Sequence, residues 1–316
     1  MTNDSNDFYL LDKENAEKFF QEFCKEIFGK QIIISVLDLK RSHTYNPDNY
    51  NIYYLLKTDG EKKGIRLSTS KVLSKKDDFL VMNFFHKNGF QDGMFIAPKP
   101  LAYLEKDNIF IYEDTLGDRL SDSLSKIDNL DSVVEKIALL LKKVHNLSKP
   151  EFTAKKSDFI FENFQFQLIE NNFPKLEGKL KPLIDQIKEK NLDGHLDFCH
   201  GDFNPNNILL QGEKIVLIDF GSSCFLKKEL DMASFLVHLE IMLCKTDKAI
   251  LFDKLEKTFL NNYGEYDNTN LVSLSIAINL RLLEISLVYP WADRNQEFQS
   301  YIYNLLEKNI SKYNEL

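Results

Sequence analysis

The chain is short of cysteine, has a single tryptophan, and carries no basic tract. Four cysteines in 316 residues, Cys24, Cys199, Cys224 and Cys244, are scattered without paired spacing. That pattern argues against a zinc ligand set or a disulfide framework and fits reduced thiols in a cytoplasmic protein. Lysine and arginine total 40 against 48 acids, for a net charge of −8 and a pI near 5.4. Without a basic patch, no nucleic-acid partner is expected. The most apolar late stretch, residues 271 to 290, is broken by Asn279, Arg281 and Glu284. It reads as a buried amphipathic helix, so no membrane span is expected. The first seven residues are polar and acidic, with neither the cationic nor the apolar region of a secretory signal. No internal repeat, linker or low-complexity segment breaks the chain. Its 43% hydrophobic and 28% charged content is that of a soluble globular protein long enough for two lobes.

What is present concentrates between His200 and Gly221. The stretch reads His200-Gly201-Asp202-Phe203-Asn204-Pro205-Asn206-Asn207-Ile208-Leu209-Leu210, then Gln211-Gly212-Glu213-Lys214, then Ile215-Val216-Leu217-Ile218-Asp219-Phe220-Gly221. Two apolar runs flanking a Gly-bearing connection predict a hairpin. Asp202 and Asn207 precede the first run and Asp219 follows the second. Two carboxylates and an amide oxygen at the mouth of a hairpin make a hard-oxygen set of the kind Mg²⁺ takes alongside substrate phosphates. Asp202 and Asn207 alone are also ordinary turn residues. Asp219, beyond the next strand, has no place in a plain turn.

This compound motif resembles the aminoglycoside phosphotransferase/choline kinase-like family. The resemblance implies an α+β, two-lobed protein-kinase-like fold with a small antiparallel-sheet lobe (residues 1–112, nucleotide-binding) and a mainly helical lobe (113–316, catalytic and acceptor-binding). It puts Asp202 on the catalytic acid that orients or deprotonates a hydroxyl, and Asn207 and Asp219 on the two metal ligands. Asp231, in Glu229-Leu230-Asp231-Met232-Ala233, falls on an acid that holds the catalytic loop. His200 is expected to orient that loop. The implied cofactors are ATP and Mg²⁺.

The first lobe is expected to run helix (14–28), strands (31–37, 50–57, 63–69), helix (76–87) and strands (101–104, 109–113). The segment from Arg41 to Asn49, where the family covers phosphate, contains no glycine. The family's phosphate-binding lysine is also missing from the third strand. Alternation there puts Ile65 and Leu67 on one face and Arg66 on the other. We expect Arg66 to take the lysine's place and Asp78 that of its acidic partner on the following helix; Lys71 or Lys57 is the alternative. Residues 109 to 114 match the family's hinge, which places Tyr112 and Asp114 beside the nucleotide.

In the second lobe, Val133, Ile137, Leu140, Leu141 and Val144 predict a helix over 131–146 with Asp131 as its N-cap. His145 at its end reads as a packing or capping residue. Residues 157–190 read as aromatic-rich helices: either an acceptor-pocket insertion or a packed pair. Further helices are expected over 231–244, 250–263, 270–288 and 297–312. Glu284, Trp291 and Asp293 are candidate contacts for a cationic acceptor, although Trp291 also suits a helix joint. Only nine residues separate Gly221 from Asp231, too few for a peptide-docking segment. The sequence therefore predicts a kinase acting on a hydroxyl-bearing small molecule. A nucleotide-binding pseudokinase is the alternative.

Overall fold

The computed structural model describes residues 8–42, 48–150, 152, 155–156, 163–192, 195–288 and 295–316. The chain divides into two compact units, Met1–Gly117 with Leu209–Gly221, and Asp118–Ile208 with Ser222–Leu316. The division expected at residue 112 falls at Gly117, and the hairpin, from Leu209 to Gly221, groups with the first unit. The reason is strand pairing: Ile215 and Val216 sit in parallel register with Phe95 and Ile96.

The first unit runs α1 (Lys13–Glu22), α2 (Cys24–Phe28), β1 (Ile34–Ser42), β2 (Asn49–Thr58), β3 (Glu61–Ser70), α3 (Lys76–Lys87), β4 (Phe95–Ile96), β5 (Pro100–Leu104) and β6 (Ile109–Glu113). Asp12 caps α1 by accepting from the Asn15 N–H at 2.9 Å. The single helix expected over 14–28 is two, because Phe23 leaves helical geometry at φ −94°, ψ 16°. β1 starts three residues later than expected and continues to Ser42, with an irregularity between Val36 and Asp38 that resets its alternation. Residues 43–47 of the glycine-free segment lie outside the described residues.

The strands form one antiparallel sheet in the order β1-β2-β3-β6-β5. Its apolar face packs on α1 through Phe19, Phe20, Ile34, Ile52, Tyr54, Leu56, Ile65, Leu67 and Ile111. Ile65 and Leu67 are fully buried there, so Arg66 faces the other way. Tyr54 lies within this core, where its hydroxyl donates to the Leu10 carbonyl at 2.8 Å.

The second unit holds β7 (Asp118–Arg119), α4 (Leu120–Ser123), α5 (Leu130–His145), β8 (Lys155–Lys156), α6 (Asn163–Asn172), α7 (Leu180–Leu192) and β9 (Asp197–Cys199). After β10 (Ile208–Gln211) and β11 (Lys214–Leu217), the chain returns to it with β12 (Cys224–Leu226), α8 (Glu229–Leu243), α9 (Phe252–Tyr263), α10 (Asn268–Val288) and α11 (Gln296–Glu315). The cap of α5 is Asn129, which accepts from the Ser132 N–H at 3.2 Å. Asp131, expected in that role, instead binds Lys254 and Thr258. Tertiary partners outbid the local cap there, and the hydrogen bond from Lys254 holds the Asp131 carboxyl below its usual pKa.

By length and composition alone, α10 is apolar enough to cross a membrane. Here it is the hub of a core: Val272, Ile276, Leu280 and Leu283 pack with Ile169, Ile184, Val237, Ile302 and Leu306 from α6, α7, α8 and α11.

Tyr54→Phe should lower folding stability by about 1–3 kcal/mol, because the buried Leu10 carbonyl loses its donor. Urea unfolding followed by circular dichroism measures it; an unchanged midpoint would mean that this bond contributes nothing.

Candidate active site

The second unit holds the loop after β9. Asp202 is held by two amides: Asn204 Nδ2 donates to its Oδ1 at 2.7 Å and Asn207 Nδ2 donates to its Oδ2 at 2.8 Å. Asn207 Nδ2 also donates to the Asp202 backbone carbonyl at 2.9 Å. With its nitrogen committed, the other amide atom of Asn207, Oδ1, is an acceptor, the atom type a hard cation takes. Asn204 fixes the turn between them, accepting from the Asn206 N–H at 2.9 Å. Pro205 opens that turn, where it needs no N–H.

The base of the loop is tied to α8. Asp231 has no solvent exposure, and a buried carboxylate needs donors. It receives the backbone N–H groups of His200 at 2.7 Å and Gly201 at 2.8 Å, and His145 Nε2 lies 3.0 Å away. His200 is fully buried and acts here through its backbone. Ser223 Oγ adds a bond to the His200 carbonyl at 3.2 Å. Gly201 has φ +83°, and a Cβ there would stand 1.9 Å from the Ser222 carbonyl oxygen. No other residue fits that position.

The first unit holds Asp219 and the charges around it. Asp219 is exposed and holds φ +64°, a left-handed conformation uncommon outside glycine. Phe220 anchors the segment, its ring 4.6 Å from that of Phe85 on α3. Asp78, on the same helix, brings a carboxylate oxygen to 3.2 Å from where a Gly221 side chain would begin.

The expected Arg66–Asp78 pair does not form. Arg66 Nε binds Asp114 Oδ1 at 2.5 Å, and Asp78 binds Lys75 Nζ at 2.8 Å. Sheet register explains it: Arg66 stands opposite Tyr112, and the Asp114 N–H donates to the Gly64 carbonyl at 2.9 Å. Asp114 is thus the diagonal neighbour of Arg66 on one face. Lys75, which the sequence reading passed over for Lys71 and Lys57, enters α3 one turn before Asp78. The signal was present as an i,i+3 Lys–Asp pair. Half-buried Tyr112 records how these groups converge. Its phenol is pushed up to about 12 by burial, with Asp219, Asp114 and Asp78 adding to the rise and Arg66 opposing it.

Asp202, Asn207, His200 and Asp231 therefore meet in the second unit, and Arg66, Asp78, Tyr112, Asp114 and Asp219 in the first. Glu284 is buried and paired with Arg281 on its own helix. Trp291 and Asp293 lie outside the described residues. A cleft of about 430 Å³ among α8, α9, α10 and α11 is lined by Glu240, Phe252, Leu271 and Lys308 among other described residues, and Glu284 is not one of them. Sequence reasoning also missed that Cys199 and Cys224, both buried, stand directly opposite each other in the β9–β12 pair.

An antiparallel-sheet unit and a helical unit, with an Asp-and-Asn loop in one and an Asp-Phe-Gly turn in the other, define a protein-kinase-like fold. The family model described as the phosphotransferase enzyme family matches residues 54–265, and the chain belongs to that family. Two proteins named LicA from Haemophilus influenzae are 29% identical over 157 residues. That match covers 47% of this chain and 44% and 55% of theirs, so the chain spans about half the length of the curated relatives it matches. Among solved structures, a Plasmodium vivax ethanolamine kinase aligns with TM-score 0.58 at 14% identity, over 94% of this chain and 89% of that one. A spectinomycin phosphotransferase in complex with ADP and spectinomycin aligns with TM-score 0.56 at 14% identity, over 92% and 93%. These likenesses show the fold.

Asp219→Gly removes the carboxylate and relieves the left-handed backbone. Thermal unfolding should show a variant no less stable than the parent, by up to about 1 kcal/mol in its favour. Stabilisation by ATP with Mg²⁺ should be lost. A strongly destabilised variant would make the Asp219 side chain a structural group instead.

Proposed function

We propose that this protein is a cytoplasmic small-molecule kinase. It transfers the γ-phosphoryl group of ATP to a hydroxyl of an aminoglycoside, amino-alcohol or sugar-type acceptor, with Mg²⁺ as its metal ion. The observation that carries the reading is the Asp202 carboxylate, held by two amides in a loop tied to a buried acid, in a chain of the phosphotransferase family. Phosphoryl transfer asks the protein for position and electrostatics more than for covalent chemistry. Asp202 accepts the hydrogen bond of the acceptor hydroxyl and takes its proton as that oxygen bonds to the γ-phosphorus. The bond to the β,γ-bridging oxygen breaks and ADP leaves.

The donor set suits the metal: an amide oxygen whose nitrogen is otherwise engaged, and an exposed carboxylate. Asn207 and Asp219 would hold Mg²⁺, which would supply charge neutralisation on the phosphates. Lys75, braced by Asp78, is the phosphate cation, and Arg66 offers its remaining N–H groups beside Asp114. The segment through Tyr112 and Asp114 receives the adenine. The short link between Gly221 and Asp231 favours a small acceptor. The ethanolamine kinase and the spectinomycin enzyme support one that carries an amine near its hydroxyl. Glu284 is already paired, which leaves Trp291 and Asp293 as the proposed acceptor contacts.

ADP release with a panel of amino alcohols, aminoglycosides and sugars, with and without Mg²⁺, tests the reaction. Asp202→Asn should lower turnover at least about a hundredfold while the thermal shift with ATP and Mg²⁺ persists. Near-parental turnover in that variant would remove Asp202 from the chemistry. Nucleotide binding without ADP release from any acceptor would favour the pseudokinase.

Lys75→Ala should raise the KM for ATP about tenfold or more, by loss of a charged hydrogen bond, and Arg66→Ala should raise it less. The reverse order would return the phosphate role to Arg66.

A further inference from the structure

Asp231 does not stand alone behind the catalytic loop. His145, the last residue of α5, places Nε2 3.0 Å from Asp231 Oδ2 and Nδ1 2.8 Å from the hydroxyl of Tyr263, the last residue of α9. The His145 side chain is 4% exposed, Tyr263 is buried, and Asp231 has no exposure at all. Three helices, α5, α8 and α9, thus end or begin on one buried chain of polar atoms. That chain leads Tyr263–His145–Asp231–(His200 N, Gly201 N), and Asp202 is the next residue.

The chemistry of each link is constrained. Asp231 already receives two backbone N–H groups, so it is the acceptor toward His145, and Nε2 must carry a proton. An imidazole in that position can turn about its χ angles and lose the bond unless its far nitrogen is also held. Tyr263 is the group that holds it. Burial pushes the phenol well above its ordinary pKa, and nearby carboxylates, Glu229 first, add to that, so the hydroxyl keeps its proton. The same logic orients metal-bound histidines, whose second nitrogen sets the ring for the first. Here the ring serves a backbone turn, through a carboxylate.

We propose that Tyr263 is a positioning residue for phosphoryl transfer: through His145 it fixes the Asp231 carboxylate, and with it the backbone of the loop that carries Asp202. This rests on the kinase reading above for its effect on rate, but not for its effect on the ring. The bond between Tyr263 and His145, the one that the test removes, is an ordinary buried hydrogen bond, so the rate effect is modest. It falls on turnover, because the chain of bonds leads to the loop of Asp202 and includes none of the residues proposed above to bind ATP.

Tyr263→Phe keeps the ring and its packing against Phe259 and removes only the hydroxyl. Two measurements on the full chain test it. With histidine labelled with nitrogen-15, and the signal assigned by its loss in His145→Gln, the parent should show a slowly exchanging Nε2 proton. In Tyr263→Phe that proton should exchange at least about tenfold faster, as expected when one buried hydrogen bond is lost. In the ADP-release assay, Tyr263→Phe should lower kcat about tenfold and leave the KM for ATP within about twofold. His145→Gln, which can still donate to Asp231, should retain more activity than His145→Phe. A Nε2 proton equally protected in parent and Tyr263→Phe, or an unchanged kcat, overturns the proposal. If no acceptor yields ADP even with the parent, the kinase reading has failed and the exchange experiment still decides the positioning claim.

Discussion

A carboxylate sealed from water at the start of a helix is stable only where donors reach it, and at Asp231 the donors are the loop's own backbone. The first turn of α8 therefore dictates the course of the chain at His200 and Gly201. The extreme closeness of Gly201 to the Ser222 carbonyl follows, because the backbone must turn sharply to offer two successive N–H groups to one acid. The pairing of β9 with β12, which brings Cys199 opposite Cys224, carries both sides of that turn. Packing supports the same point: Phe203 and Phe235, one on the loop and one on α8, have ring centroids 5.9 Å apart. What reads in the sequence as a catalytic motif is, in its first half, the solution to a burial problem on α8.

The loop is then stiff for a second, local reason. Asn204 and Asn207 each donate to Asp202, and Asn204 also accepts from the Asn206 N–H. Short polar side chains that satisfy neighbouring backbone groups favour turns. The same amides engage both oxygens of the Asp202 carboxylate with neutral donors and fix its orientation. On the kinase reading proposed above, a carboxylate oriented in this way would need no rearrangement to meet an incoming hydroxyl, which is how preorganised polar groups lower a barrier.

The motif from His200 to Gly221 was legible because its parts are close in sequence and each residue type has few uses at such spacing. The order of helices and strands was legible from periodicity, down to the opposed faces of Ile65, Leu67 and Arg66. What escaped was set by pairings across the chain. Asp114 reaches Arg66 only because β3 and β6 are in one register and not another, and register cannot be read from either strand alone. Asp131 looked like a cap, but Lys254 and Thr258 claimed it. His145 was read as a packing residue; its partners Asp231 and Tyr263 lie 86 and 118 residues away. The cysteines had no motif spacing because strands, not a motif, bring two of them together.

In the first unit each cation near the Asp-Phe-Gly turn has its own acid: Arg66 has Asp114, and Lys75 has Asp78. The third acid in the field of Tyr112, Asp219, has no ion-pair partner among the described residues, and it sits on strained backbone at the surface. A glycine would hold that conformation at lower cost. Structure alone gives no reason to keep a carboxylate there. Folded chains break local rules mainly where function requires it. The charge count names the requirement: two positive side chains against three carboxylates leave a deficit of one, which a divalent cation turns into an excess of one. On the kinase reading proposed above, a site that is anionic without its metal and cationic with it would attract the metal first and the phosphates second. That order would follow from the pairing of Lys75 and Arg66 with acids of their own, and it would leave Asp219 as the residue on which metal and nucleotide binding are coupled.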